Sequence, residues 1–148
     1  MRPSVHALSP AKLNLALSVG RPEASGMHPL SSWMVTVDLH DELFVEALEP
    51  GSLSLYAIVW HAHARRRSEI DWSITKDLAV RAHALLESHV GRPLPVKMRL
   101  EKRIPVGGGL GGGSSNAAAM LRAVNQLHGL GLHEDTLAEL ARALGSDV

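Results

Sequence analysis

The chain has 148 residues, a formal net charge of zero and no cysteine. This length is enough for one domain with a hydrophobic core, whereas the lack of cysteine excludes disulfides and thiolate chemistry. The balanced charge gives no electrostatic basis for binding nucleic acid or a membrane surface, and no segment is long and apolar enough to predict a membrane span. We therefore expect a cytoplasmic protein.

The first half of the chain has the pattern of a β-sheet. Apolar residues alternate with small or polar ones over residues 13–19, which predicts a half-buried strand. The polar residues 40–42 predict a turn between two further strands, and Pro50-Gly51 predicts a second turn. The predicted strands cover residues 13–19, 33–39, 43–48 and 52–60, and a loop covers residues 20–29.

The second half favours helices packed on that sheet. Ser73 has the position of an N-cap for a helix that runs to about Val90, and Gly91 has the position of its C-terminal cap. An alternating segment over residues 96–100 predicts another strand. Two more helices are predicted from Ser114 or Ser115 to Gly129 and from about His133 to Leu144. This order predicts an α+β domain with its helices on one face of the sheet.

A glycine-rich run before the second helix is the most informative feature of the chain. Six of the 13 glycines lie between residues 107 and 113, and two serines follow them. Glycine lets the backbone adopt positive φ and approach a ligand closely, and a helix N-terminus behind it adds unpaired N–H donors. This arrangement is typical of phosphate binding by the backbone. The predicted nucleotide-binding residues are Pro105, Val106, Gly107, Gly108, Gly109, Leu110, Gly111, Gly112, Gly113, Ser114 and Ser115.

A flexible linker is the alternative interpretation of this run. Linkers are usually polar throughout, whereas here Leu110 interrupts the glycines and an apolar helix follows. The run is not a Walker A motif, because it contains no Gly-Lys-Ser/Thr sequence. It also lacks the acidic residue that closes the next strand in the dinucleotide-binding motif. We therefore expect a phosphate loop of another class.

Two charged residues far from the glycine run are candidates for chemistry. Lys12 precedes an apolar strand with Asn14 two positions further on, and Asp147 follows the last predicted helix. The ordinary interpretations of such residues are a solvated lysine and a turn aspartate. Beside a phosphate loop, however, the aspartate would accept a hydroxyl proton and the lysine would hold the transferred group. The spacing of the two residues does not show whether they meet.

Four stretches of the chain together resemble the GHMP family of small-molecule kinases in order and in spacing. The glycine stretch is highly specific. Lys-x-Asn near the N-terminus and Gly-Ser-Asp-Val after the last helix narrow the resemblance to the branch that phosphorylates a cytidine diphosphate-linked sugar alcohol. The resemblance covers nearly the whole chain. The stretches are residues 10–15, 26–30, 102–118 and 144–148.

This resemblance implies both a fold and a reaction. Residues 1–148 would form the family's N-terminal, ATP-binding domain, which is similar to domain 2 of ribosomal protein S5. The γ-phosphoryl group of ATP would pass, with Mg²⁺, to the 2-hydroxyl of a cytidine diphosphate-linked methylerythritol in the non-mevalonate isoprenoid pathway. The partner is then a small molecule, not a nucleic acid or a membrane. His61 and His63 have ligand-like spacing, but they lack a third ligand, and we expect no protein-bound metal.

The resemblance also implies roles for individual residues. Asp147 matches the family's general base and Lys12 its partner lysine. Asn14 and His28 match substrate-contacting positions, and His28 is the one that recognises the edge of the cytosine. Met27 stands where the family usually has a tyrosine that stacks on the cytosine, and a thioether has no aromatic face for that contact.

Several alternatives remain open from the sequence. Family members continue beyond the position of Val148 into a C-terminal domain, so we expect these 148 residues alone to be a weak or inactive kinase. A non-catalytic nucleotide-binding module that pairs with a separate C-terminal half is one alternative. Another GHMP kinase, such as a homoserine or mevalonate kinase, is a second. An RNA-binding domain similar to S5 is a third, which the zero net charge disfavours.

Overall fold

A four-stranded sheet with helices packed against it is the architecture of the computed structural model, which describes residues 1–26, 28–145 and 147–148. The strands are β1 (Ser4–Val19), β2 (Leu30–Ala47), β3 (Leu55–Trp60) and β4 (Val96–Lys102). The helices are α1 (Leu78–Val90), α2 (Gly112–Leu127) and α3 (Glu134–Leu144), and a short 3₁₀ turn covers Ile74–Lys76. The predicted α+β class is confirmed.

The sheet has the strand order β1-β2-β4-β3. β2 runs antiparallel to both β1 and β4, whereas β3 and β4 are parallel. Parallel neighbours need a crossover connection, and the segment that contains α1 supplies it. The order places the end of β4, which leads into the glycine run, beside the middle of β2.

The core lies between one face of the sheet and the three helices. β2 and β4 contribute alternate residues to it, as a strand with one buried face must. The predicted alternation of residues 96–100 is confirmed, since Val96, Met98 and Leu100 are all buried. The buried helical residues include Ala79, Val80, Ala82 and Leu86 of α1, Ala117, Met120, Leu121 and Val124 of α2, and Leu137 and Ala141 of α3.

The predicted turn at residues 40–42 is wrong, because β2 continues through it as one strand of 18 residues. Aspartate is common in turns, yet Asp41 pairs with Ser9 of β1 and is completely buried. Its carboxylate receives hydrogen bonds from the segment that follows β4. Tertiary partners therefore outweigh the local preference of aspartate for turns.

The predicted burial of residues 13–19 is also wrong. These residues form the distal part of β1, which pairs with the start of β2 in a long two-stranded ribbon. The alternating apolar pattern reflects the strand correctly, but the side chains of Leu13, Leu15, Leu17 and Val19 are each more than 40% exposed. Leu30, Trp33 and Met34 on the opposite strand are likewise more than half exposed.

Two predicted helix starts are displaced in the structure. Ser73 precedes the 3₁₀ turn, and α1 is capped instead by Asp77, whose side chain accepts a hydrogen bond from Ala79 N at 2.9 Å. Neither Ser114 nor Ser115 caps α2, because the helix begins earlier, at Gly112. Its N-cap is Gly111, in the left-handed conformation. The predicted cap at Gly91 is confirmed, with φ of 70°. No helix among the described residues is both long and apolar enough to cross a bilayer.

Candidate active site at the glycine loop

The glycine loop, residues 105–113, runs from the segment after β4 into the first turn of α2 and has an alternating backbone conformation. Gly107, Gly109 and Gly111 have φ of 73°, 69° and 68°, whereas Gly108 and Leu110 between them do not have positive φ. Loops with glycines in the left-handed conformation are typical of anion-binding concavities formed by successive N–H groups. The N-terminus of α2 begins directly behind it and adds its unpaired donors.

A cleft of about 330 Å³ follows this loop. Pro105 to Ser114 line it, so the structure brings these predicted residues together along one surface. Ser115 lies in the first turn of α2 and donates its backbone N–H to Gly111 O at 2.9 Å. The remaining lining residues are Trp72, Lys76, Asp77, Leu78, Lys102, Ile104 and Asn116.

Two glycines at the head of α2 are required by close packing. A Cβ at Gly111 would lie 2.8 Å from Lys12 Cγ, and a Cβ at Gly112 would lie 2.9 Å from Ile104 Cγ2. Both distances are shorter than carbon–carbon van der Waals contact. By contrast, a Cβ at Gly109 would meet open space, so the need for glycine there comes from its positive φ alone.

Lys12 connects β1 with the glycine loop. Its backbone N–H donates to Leu110 O at 2.9 Å, and its aliphatic stem packs on Gly111. At the far end, Nζ lies 3.9 Å from Asp147 Oδ2. The two residues that the sequence left unconnected are therefore neighbours beside the loop.

Asn14 also contacts the ammonium of Lys12. Lys12 Nζ donates to Asn14 Oδ1 at 2.6 Å, and Asn14 Nδ2 donates to Ser32 Oγ at 2.6 Å. Ser32 in turn donates to the carbonyl of Ala16 at 3.0 Å. This chain of hydrogen bonds crosses the β1–β2 ribbon and defines which way the amide of Asn14 points.

The loop between β1 and β2 carries the remaining predicted residues. His28 lies there, and its Nδ1 donates to Gly20 O at 2.9 Å, which leaves Nε2 as the acceptor of the neutral ring. Met27, the predicted substitute for a tyrosine, lies outside the described residues. The structure therefore places His28 in the loop that connects the two strands of the ribbon, whose strand β1 carries Lys12 and Asn14.

Sequence reasoning missed three residues close to the glycine loop. Lys102 and Asn116 line the cleft, and both donate to the buried carboxylate of Asp41, at 2.7 and 2.9 Å. The sequence assigned no individual role to Lys102 or Asn116, and it placed Asp41 in a predicted turn. The available signal was two charged pairs, Asp41-Glu42 and Lys102-Arg103, each adjoining a segment with the pattern of a strand.

A second ionic group lies outside the cleft. Glu42 accepts from Arg103 Nη2 at 2.6 Å and from His6 Nε2 at 2.9 Å. Burial by itself raises the pKa of the Glu42 carboxyl, but the hydrogen bonds from His6 and Arg103 outweigh it, so this pKa lies below its usual value. Within residues 1–26, 28–145 and 147–148, no group of three His, Asp or Glu side chains has the arrangement of a metal site.

The fold and the glycine loop indicate one class of protein, and comparisons with known proteins indicate the same class. Residues 77–148 match the family described as GHMP kinases N terminal domain. A solved homoserine kinase from Cytophaga hutchinsonii aligns over 97% of this chain and 41% of its own length with a TM-score of 0.66, and its 18% identity shows likeness of fold alone. The chain therefore has the GHMP kinase N-terminal fold, as the resemblance predicted.

Within this class, the chain is similar to one enzyme in particular. It is 43% identical over 95% of its length to the 4-diphosphocytidyl-2-C-methyl-D-erythritol kinase of Xanthomonas campestris, of which it covers 44%. The Vibrio cholerae kinase of the same name is 39% identical, with 45% of its length covered. A solved structure named as 4-(cytidine 5'-diphospho)-2C-methyl-D-erythritol kinase superposes with a TM-score of 0.74 at 37% identity, over 97% of this chain and 47% of that one. The chain thus spans less than half the length of these relatives.

Proposed function

We propose that this chain is the nucleotide-binding part of a kinase that transfers phosphate from ATP to the 2-hydroxyl of 4-diphosphocytidyl-2-C-methyl-D-erythritol. The observation that carries the proposal is the position of Lys12. Its backbone is bonded to the glycine loop at Leu110, and its ammonium lies 3.9 Å from Asp147. A single residue therefore joins a predicted phosphate site to a carboxylate. The names of the relatives supply the substrate.

The glycine loop would hold the phosphates of the nucleotide. Backbone N–H groups and the N-terminus of α2 offer hydrogen-bond donors that need no reorganisation when a negative charge arrives. Mg²⁺ would neutralise phosphate charge during transfer, and it usually takes most of its ligands from phosphate oxygens and water. Ser114 lines the cleft, and we assign its hydroxyl to the part of the site that would hold the phosphates and Mg²⁺.

Lys12 and Asp147 would act on the acceptor hydroxyl. A carboxylate accepts the hydroxyl proton as the oxygen attacks, and an ammonium stabilises the charge on the transferred phosphoryl group. The hydrogen bond to Asn14 would hold the Lys12 ammonium beside Asp147. This pre-arrangement lowers the entropic cost of bringing the catalytic groups together.

His28 would recognise the cytosine. Since its Nδ1 donates to Gly20 O, the Nε2 lone pair remains available to the exocyclic amino group of the base. Met27 would pack on the base without aromatic stacking. We expect weaker binding of the cytidine part than a tyrosine at this position would give.

The exposed ribbon of β1 and β2 would contact a further part of the protein. Its leucines, together with Trp33 and Met34, form an apolar surface that no described residue covers. Surfaces of this kind mark interaction sites. Because the relatives are more than twice as long as the region they share with this chain, we propose that a C-terminal region like theirs packs on the ribbon. The cytoplasmic location stays a prediction.

The other GHMP kinases are weaker candidates for the same site. Solved homoserine and mevalonate kinases share the fold at 18% and 13% identity, levels that carry no information about substrate. The Lys-x-Asn and Gly-x-His stretches favour the cytidine diphosphate substrate. The alternative of a non-catalytic module differs from the kinase only in turnover. Such a module would bind the nucleotide with the same glycine loop but would not transfer phosphate.

The test is phosphoryl transfer from radiolabelled ATP, with homoserine and mevalonate as competing acceptors. The chain is assayed alone and joined at Val148 to the C-terminal region of the Xanthomonas campestris relative. Transfer to the cytidine diphosphate acceptor, at least about 100-fold above the two competitors, supports the proposal. Transfer to a competitor, or nucleotide binding without transfer by either protein, contradicts it.

A further inference from the structure

Asp41 is a completely buried aspartate that receives four hydrogen bonds. Its Oδ1 accepts from the backbone N–H groups of Arg103 and Ile104, at 2.7 and 2.8 Å. Its Oδ2 accepts from Lys102 Nζ at 2.7 Å and from Asn116 Nδ2 at 2.9 Å. A buried carboxylate is costly unless it is paired and hydrogen-bonded, and here both oxygens are satisfied by strong donors.

Three of the four donor residues, Lys102, Ile104 and Asn116, line the cleft, and Arg103 lies between two of them in the chain. Arg103 and Ile104 are the residues through which β4 passes into the glycine loop, and Ile104 also packs against Gly112 at the head of α2. Lys102 and Asn116 line the cleft itself. One side chain on β2 therefore holds the end of β4, the start of the loop and the first turns of α2 together.

We propose that Asp41 is a positioning residue of the nucleotide site. It holds the glycine loop in its binding conformation and sets the directions of the Lys102 and Asn116 side chains. This inference rests on the proposed function of the loop. Asp41 itself need not touch the nucleotide, because its whole effect passes through the residues that it binds.

The charge of Asp41 matters for the cleft as well as its hydrogen bonds. Lys102 is 6% exposed, and without the carboxylate its ammonium would be an unpaired buried cation. Asn116 gives its Nδ2 to Asp41, so Oδ1, a buried atom with no hydrogen-bond partner among the described residues, is the acceptor that this amide keeps. Asp41 thereby fixes the orientation of the Asn116 amide in the wall of the cleft.

Ser9 supplies a matched control at the same depth in the sheet. It lies directly opposite Asp41 in the β1–β2 register and is 1% exposed. Its Oγ has no hydrogen-bond partner in the described part of the chain. Ser9→Ala therefore changes a buried polar side chain next to Asp41 without removing a bond to the loop.

The experiment compares Asp41→Asn with Ser9→Ala in the whole chain. Asparagine places an amino group where Oδ2 faces two donors, so we expect the amides of Arg103 and Ile104, at the entry to the loop, to exchange hydrogen at least about tenfold faster, while those of β4 stay protected. The dissociation constant for the Mg²⁺ complex of a non-hydrolysable ATP analogue should rise at least about tenfold. Ser9→Ala should change neither value.

A second pair of variants covers the case in which Asp41→Asn does not fold. Lys102→Met removes the buried cation, and Asp41→Leu/Lys102→Met then removes the carboxylate without leaving an unpaired charge. The double variant should show faster loop exchange and weaker analogue binding than Lys102→Met alone. Equal values in these two variants, or equal loop exchange in Asp41→Asn and Ser9→Ala, would overturn the positioning role.

The two readouts separate this inference from the proposed function. Hydrogen exchange in the loop needs no nucleotide, so it decides whether Asp41 holds the loop even if the unaltered chain fails to bind the analogue. That failure would contradict the proposed function. A uniform rise in exchange over the whole sheet would show general destabilisation and would contradict the positioning role.

Discussion

The ammonium of Lys12 lies 3.9 Å from a carboxylate oxygen of Asp147, although the two residues stand near opposite ends of the chain. β1 places Lys12 against the glycine loop, and the chain returns after α3 to bring Asp147 to the same place. A lysine and an aspartate beside a predicted phosphate loop are the groups that phosphoryl transfer to a hydroxyl requires.

Asp147→Asn should abolish most of the phosphoryl transfer. Asparagine keeps the shape of the side chain but cannot accept the hydroxyl proton, so we expect kcat to fall by about 10²–10⁴. Steady-state transfer to the cytidine diphosphate acceptor measures this, with the chain joined to the C-terminal region. Asp135→Asn, on the exposed first turn of α3, is the control and should retain full activity. Equal activity in both variants would exclude Asp147 as the base.

Lys12→Met should also reduce kcat, while nucleotide affinity changes little. The methionine stem keeps the packing on Gly111, but no ammonium remains beside Asp147 or to bond with Asn14. We expect a loss of about 10²–10³ in kcat, the range for removing one charge-stabilising group. Lys97→Met, on the exposed side of β4, serves as the control. A loss of affinity with unchanged kcat would assign Lys12 to ground-state binding instead.

Gly112→Ala should destabilise the chain through a steric clash. The added Cβ would lie 2.9 Å from Ile104 Cγ2 in the buried wall of the cleft, and we expect a loss of about 1–2 kcal/mol in the free energy of unfolding. Gly108→Ala is the matched control in the same loop, since its Cβ would meet atoms no closer than 3.6 Å. Urea denaturation of both variants measures the difference. Equal stability would show that Ile104 yields without cost.

The alternating residues of β4 and the glycine run show what the sequence could predict. Val96, Met98 and Leu100 alternate in the sequence because one face of β4 packs on the core, and the loop residues line one cleft because they are contiguous. Asp41 and the exposed leucines of β1 show the limit. Asp41 is buried by partners that lie far away in sequence. The leucines of β1 have the alternating pattern of a buried strand, although no described residue covers them.

Glu42 should make stability depend on pH in the acidic range. Its pKa is lower in the folded chain than in the unfolded one, so its stabilising effect is present above the unfolded pKa, near 4.5, and is lost as the pH falls through the folded value. We expect Glu42→Gln to cost about 1 kcal/mol at pH 7 and progressively less below pH of about 4. Denaturant unfolding over this range measures it. Glu46→Gln, which removes a more exposed carboxylate 3.4 Å from Arg2, should show less than about half that cost. A cost independent of pH would contradict the ionic role of Glu42.

The binding of a nucleotide by the glycine loop is the central claim, and calorimetry with the Mg²⁺ complex of a non-hydrolysable ATP analogue tests it most directly. Gly109 and Gly51 both have positive φ, 69° and 86°, and open space around the added Cβ, so alanine strains each to a similar degree. Gly109 lies in the loop, whereas Gly51 lies in the turn between β2 and β3. Binding by the unaltered chain that Gly109→Ala weakens at least about tenfold, and that Gly51→Ala leaves unchanged, is the predicted result. No binding by the unaltered chain, or equal affinity in the two variants, would contradict the account.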